Sequence, residues 1–189
     1  MESEVDPQVE GELIKDQTLI SKKDMQQALE QKGYGEISKK KFYLKPFESL
    51  YLLYCEKLKL KKGKEIFDFD SLMKICKKYD SDILTRFLVY RDLRTRGYIV
   101  KDGFGFGLDF RVYERGHFGE KGAKLLVFAM NEGTQEKIGQ LQKKIEQITQ
   151  MGKEPVIAVI ERRGEVIYYK ISRIDFLKNK EKINLENFR

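Results

Sequence analysis

The chain is poor in the residues from which metal sites and disulfide frameworks are built. It has one histidine, His117, and two cysteines, Cys55 and Cys76, in 189 residues. A structural zinc site needs about four nitrogen or sulfur ligands at close spacing, so the count excludes one. The cysteines lie inside apolar segments without metal-type spacing and read as reduced core residues. Long apolar runs are missing too. Nothing approaches the ~20 residues of a membrane-spanning helix, and MESEVDPQVE has none of the apolar stretch of a secretion signal. No membrane association and a cytoplasmic location are therefore expected. There is no internal repeat.

What is present supports a packed core. Hydrophobic residues make up 41% and aromatics 12%, which excludes a disordered chain even with 35% charged residues. Lysine and arginine number 37 against 30 acidic residues, a net charge of +7. That excess favours polyanionic partners, RNA included, although a lysine-rich solvated surface is the plainer reading of charge alone.

In chain order, Met1 to Glu10 is acidic and polar and reads as a mobile tail. Residues 12–14 and 18–20 flank Lys15-Asp16-Gln17 as a short hairpin. Ser21 is placed to cap a helix running to about Lys32, where Gly33 stops it. Phe42-Tyr43-Leu44 is a short strand. Pro46 then opens a helix, PFESLYLLYCEKLKL, with a wide apolar stripe. Lys59 to Lys64 reads as a basic turn, and Asp68 or Asp70 caps a further helix. A boundary is expected near Asp80-Ser81.

The most informative stretch is RFLVYRDLRTRGYIVKDGFGFGLDFRVYERG, Arg86 to Gly116. Phe87, Tyr90, Leu93 and Arg94 recur at helical spacing. Gly97 suits the left-handed residue that ends a helix. Tyr98-Ile99-Val100 suits a strand, and Gly103, Gly105 and Gly107 turn the chain. From Asp109 to Glu114 the pattern alternates, with Phe110 and Val112 on one face and Arg111 and Tyr113 on the other. Lys124 to Ala129 is a strand, about Gln135 to Met151 a helix carrying Ile138, Leu141, Ile145 and Ile148, and Gly152 its stop. Pro155 to Ile160 is nearly all apolar and is expected inside a sheet. Glu161 to Glu165 is a charged hairpin turn, Val166 to Ile171 the return strand, and Lys178 to Arg189 a polar tail. Helix, strands, helix, strands make a mixed sheet with helices against it.

VYRDLRTRGYIVKDGFGFGLDFRVYERG resembles the start of the catalytic domain of archaeal tRNA-splicing endonucleases, without a gap. Weaker similarity extends from about Leu19 to Phe176. The resemblance implies an α/β (α+β) fold: a small α/β N-terminal domain over 11–80 and a restriction-nuclease-like mixed-sheet domain over 81–177, with tails at 1–10 and 178–189. It implies precursor tRNA as partner, cleaved at a bulge-helix-bulge. The ribose 2′-hydroxyl attacks the neighbouring phosphate, leaving a 2′,3′-cyclic phosphate and a 5′-hydroxyl, with no metal and no cofactor. Such chemistry wants a base, an acid and a cation, and the family supplies Tyr, His and Lys.

On that resemblance Tyr113 stands at the tyrosine position and Lys153 at the lysine position. The histidine position holds Gly122, which has no proton to give. His117, earlier in the same loop, is the candidate displaced acid; a solvated loop histidine is the plainer reading. Glu146 stands where the family often has an arginine, and an acid there repels phosphate. The hairpin that is often acidic in the family carries Arg162 and Arg163. For RNA contact the candidates are Arg111, Arg115 and Lys101. Two readings follow. One is a structural subunit that assembles with a catalytic paralogue. The other is an active endonuclease, homo-oligomeric, using Tyr113, His117 and Lys153. A binding module that only keeps the fold is a third.

Overall fold

The structure, a computed structural model, describes residues 8–105 and 107–174. The expected tails, apart from residues 8–10, lie outside the described residues, as do Phe106 and Phe176.

Six strands form the first sheet: β1 (Val9–Ile14), β2 (Gln17–Ile20), β3 (Glu36–Ser38), β4 (Lys41–Leu44), β5 (Leu58–Lys62) and β6 (Glu65–Phe67). Their order is β3-β4-β2-β1-β5-β6, with β1 and β5 parallel and the other pairs antiparallel. Helices α1 (Lys23–Gln31), α2 (Pro46–Tyr54) and α3 (Phe69–Cys76) accompany it. The hairpin expected at the N-terminal end is β1–β2, and β1 begins at Val9, inside the segment read as tail.

Two local expectations change and an open one is decided. Ser21 does not cap α1; Lys22 holds the N-cap position without a side-chain bond, and the Gln26 amide reaches back to the Ile20 carbonyl at 2.7 Å. Asp68, not Asp70, caps α3, accepting from the Ser71 N–H at 2.9 Å. The helix expected to continue from Pro46 into Leu58 and Leu60 stops at Tyr54. Glu56 turns to a φ of +58°, and the Lys57 N–H closes on the Leu52 carbonyl at 2.8 Å. Leu58 and Leu60 are then buried with Lys59 and Lys61 exposed, the two-residue alternation of a strand. The basic "turn" is the β5–β6 hairpin.

The second sheet has the order β11-β10-β9-β8-β7, from β7 (Ile99–Gly105), β8 (Leu108–Tyr113), β9 (Leu125–Asn131), β10 (Glu154–Ile160) and β11 (Val166–Lys170). Helix α4 (Ile83–Thr95) precedes it, and α5 (Ile138–Gln150) makes the crossover between the parallel neighbours β9 and β10. The other pairs are antiparallel. The apolar strand β10 is paired on both edges, as its composition requires. Gly97, at φ +84°, ends α4. Helix α5 begins three residues later than the pattern indicated, and of its apolar stripe only Ile148 is buried; Ile138 is 82% exposed.

One buried cluster runs through both sheets. Phe47 of α2 lies against Tyr90 of α4, the rings tilted at 47° with centroids 4.9 Å apart, and meets Phe110 of β8 edge-on at 5.1 Å. The Tyr90 hydroxyl is buried in this cluster without a hydrogen-bond partner. Tyr90→Phe is therefore expected to leave stability unchanged or raise it by about 1 kcal/mol, read from urea midpoints. A loss beyond 1 kcal/mol would contradict the orphaned hydroxyl. Cys76 is 1% exposed, and burial pushes its thiol up to about 12. Maleimide at pH 7.5 is expected to label Cys55 and to spare Cys76 until the chain unfolds.

Candidate functional site

Strand β8 alternates as its sequence does. Leu108, Phe110 and Val112 are buried, while Asp109, Arg111 and Tyr113 face outward and are half-covered. Pairing brings three segments to one end of the second sheet. Val112 is opposite Leu125, and Leu125 is opposite Glu154. Tyr113 lies one residue beyond that row on β8. Lys124 lies one residue before it on β9, and Lys153 one residue before it on β10. The directions of three strands thus put the phenol and both lysines at the same sheet end, although 40 residues separate Tyr113 from Lys153 in the chain.

Gly122 completes the group. A Cβ built on it would stand 3.1 Å from the Lys153 ammonium. The position where the endonuclease resemblance calls for an imidazole is therefore beside the lysine, and it carries no side chain. Lys153 itself follows Gly152, at φ +69°, and its N–H closes α5 on the Ile148 carbonyl at 3.2 Å. Among the described residues no hydrogen bond or ion pair holds its ammonium.

His117 goes elsewhere. Its Nδ1 is 3.7 Å from the Glu114 carboxylate, buried and without a hydrogen bond. Among the described residues no hydrogen bond or ion pair joins His117 to Tyr113 or Lys153. The Tyr113 ring meets Phe118 edge-on at 5.1 Å, and its hydroxyl lies 3.3 Å from Arg111 Nη1.

A cleft of about 150 Å³ opens beside Tyr113, lined among others by Tyr98, Glu114, Lys124 and Glu154. Its charges are largely paired. Glu114 binds Lys124 at 2.6 Å, which holds the Glu114 carboxyl below the usual range. Glu154 binds Lys170 at 2.9 Å. Two carboxylates on the cleft wall make it less receptive to phosphate than a purely basic groove.

The three RNA-contact candidates bind different partners, although Lys101 and Arg111 lie opposite one another on β7 and β8. Arg111 remains beside Tyr113, its Nε donating to the Asp102 carbonyl at 2.8 Å. Arg115 folds back over the Tyr98 ring, 5.3 Å from its centroid, and donates to the Arg96 carbonyl. Lys101 points into the seam between the two sheets and donates to the Gly35 carbonyl at 2.5 Å. Burial draws its ammonium below the usual lysine range, against the pull of Glu48 and Glu36. Glu48 is 1% exposed, and burial pushes its carboxyl up to about 7, opposed by Lys101, by the Lys45 and Gly35 N–H groups and by Arg94.

Two profiles match this chain. That described as the tRNA intron endonuclease N-terminal domain covers residues 9–73, and that described as its catalytic C-terminal domain covers 83–168. The chain belongs to the tRNA intron endonuclease family. It is similar to the tRNA-splicing endonuclease of Methanococcus vannielii, 33% identical over 164 residues, covering 86% of this chain and 93% of that protein. It is similar also to that of Thermococcus onnurineus, at 31% over 154 residues, 82% of this chain and 89% of that one. For Pyrococcus furiosus the figures are 33% over 145 residues, 77% and 84%. The two-domain architecture of the tRNA intron endonucleases is the one described above. No described helix is long and apolar enough to cross a membrane.

Within this endonuclease fold, sequence reading missed Phe118, the Glu114–Lys124 pair and the Glu154–Lys170 pair. Phe118 sits in a glycine-rich loop with no periodicity to assign it a face. The ion pairs join residues whose adjacency depends on strand register, which no local pattern encodes.

Proposed function

We propose that the chain is a structural subunit of a tRNA-splicing endonuclease, assembling with a catalytic paralogue that cleaves precursor tRNA at bulge-helix-bulge introns. The observation that carries this reading is the bare Gly122 beside Lys153. Transesterification by the 2′-hydroxyl makes a poor leaving group of the 5′-oxygen unless an acid protonates it, a contribution of roughly 10²–10⁴ in rate. A phenol on β8 and an ammonium before β10 remain, without a proton donor at the usual place. The two carboxylates in the cleft support the same reading. The chain retains what an assembly needs of a partner: the scaffold, a net charge of +7 and the Arg111–Tyr113 face.

The alternative, an active metal-independent endonuclease using Tyr113, His117 and Lys153, draws on one observation. His117 Nδ1 is buried with no hydrogen-bond partner, in the loop that follows Tyr113. The test is incubation of the purified chain with a bulge-helix-bulge RNA, alone and with a histidine-bearing paralogue. The expected result is no cleavage alone, and a complex that cleaves when both are present. Cleavage by the chain alone, abolished by His117→Ala, would overturn the structural-subunit reading.

A further inference from the structure

We propose that Lys101 is a positioning residue: its ammonium latches the Gly35–Glu48 corner of the first sheet's layer to the ring of Phe118, and through that ring sets where Tyr113 sits. Lys101 is on β7, directly opposite Arg111 of β8. Its Nζ donates to the Gly35 carbonyl at 2.5 Å, while the Gly35 N–H donates to Glu48 Oε1 at 3.0 Å. The second oxygen of Glu48 accepts from the Lys45 N–H at 2.8 Å. The corner is closely packed. Gly35 is at φ +67°, and a Cβ there would overlap the Phe42 ring at 2.3 Å. On its other side the Lys101 ammonium lies 5.8 Å from the Phe118 ring centroid. Phe118 in turn makes the edge-on contact with Tyr113, at 5.1 Å and 88°.

A carbonyl oxygen, a buried carboxylate and a π-face are three neighbours that a cation satisfies together and an apolar side chain does not. Arg111 also reaches the Tyr113 hydroxyl, at 3.3 Å from its Nη1. The loop from Glu114 to Lys121 is held by its own turns, by the Glu114–Lys124 pair and by Arg115 on the Arg96 carbonyl. Among the described residues, Lys101 joins its Phe118 to the first sheet's layer. The sequence offered Lys101 as an RNA contact; its bond to the Gly35 carbonyl gives it this positioning role.

The inference uses Tyr113 as the centre of the site and depends on the functional reading only for that. The experiment contains no RNA, so either can fail alone. Ring proton shifts of Tyr113, assigned by comparison with Tyr113→Phe, and amide exchange over 114–121 are measured in the full chain. In Lys101→Met the Tyr113 ring signals are expected to lose the upfield displacement given by Phe118. Loop exchange should rise about tenfold, with α2 and α4 unchanged. Lys101→Arg, which keeps the charge, restores both. Should Lys101→Met not fold, Phe118→Leu reads the link from its other end, in a half-exposed loop where folding is not at stake. It is expected to speed loop exchange without altering the Gly35 amide. Unchanged Tyr113 signals and loop exchange in Lys101→Met would overturn the proposal; so would unchanged loop exchange in Phe118→Leu.

Discussion

Replacing Gly122 by histidine is expected to raise RNA cleavage by the isolated chain about 100-fold or more. The geometry makes room for it. Gly122 is not in the left-handed region, so an L-residue fits its backbone. The nearest atom to the new Cβ is the Lys153 ammonium at 3.1 Å, the mobile end of a long side chain that shifts by a few tenths of an ångström. An imidazole there would sit beside the ammonium, at the sheet end that also carries Tyr113. It would be a proton donor whose ordinary pKa lies near neutrality. The measurement is single-turnover cleavage of a bulge-helix-bulge RNA, with product ends analysed for a 2′,3′-cyclic phosphate. Gly122→His combined with Lys153→Ala should fall back to the parent rate. A properly folded Gly122→His chain that cleaves no faster than its parent would show that the missing proton donor is not what limits this chain.

The second large effect concerns Arg86. Its guanidinium lies 3.1 Å from Asp80, 2.7 Å from Asp102 and 3.3 Å from Asp109, joining the segment before α4, β7 and β8. It also covers the Phe47 and Phe110 rings, 5.1 and 5.7 Å from their centroids. Arg86→Met keeps the aliphatic cover and removes the charge. Asp102 retains Lys45 at 3.2 Å, but among the described residues Asp109 is left with the Ala129 N–H at 2.7 Å. Stripping the cation from these part-buried carboxylates is expected to destabilise the chain by about 3 kcal/mol at pH 7.

The pH dependence follows from sign. Burial already raises the Asp109 carboxyl above its ordinary value, against the Ala129 N–H and Arg86, and with Asp80 and Asp82 adding to the rise. Losing Arg86 raises it further. A carboxyl with an elevated folded pKa weakens the fold when ionised; that penalty begins to shrink as pH falls through the folded value and is gone below the unfolded one. The deficit of Arg86→Met relative to the parent should therefore be largest at pH 7 and shrink toward pH 4.5. Urea unfolding at both pH values checks it. A deficit below about 1 kcal/mol at pH 7, or one that does not change with pH, would assign the role of Arg86 to packing rather than charge.

Local chemistry settled a good deal in advance. The 3.6-residue recurrence of Phe87, Tyr90 and Leu93, the stop at Gly97 and the two-residue alternation of β8 are short-range constraints, and each is realised in place. The unbroken run from Val89 to Gly116 was enough to point to the endonuclease family. Short-range patterns failed where two periods share residues. Leu58 continues the helical stripe of α2 and equally begins the alternation of β5; pairing with β1 decided between them.

The candidate site residues show the same division. Alternation states that Arg111 and Tyr113 share a face but not what covers that face. Lys101 proved to be directed into the seam at Gly35, and Arg115 to be folded onto Tyr98. That Gly122 stands against Lys153 depends on β9 and β10 running parallel in register, Leu125 beside Glu154. Periodicity is a property of neighbours along the chain and was readable from residue order. Which cation meets which acceptor is a property of neighbours across it, and only folding brought those together.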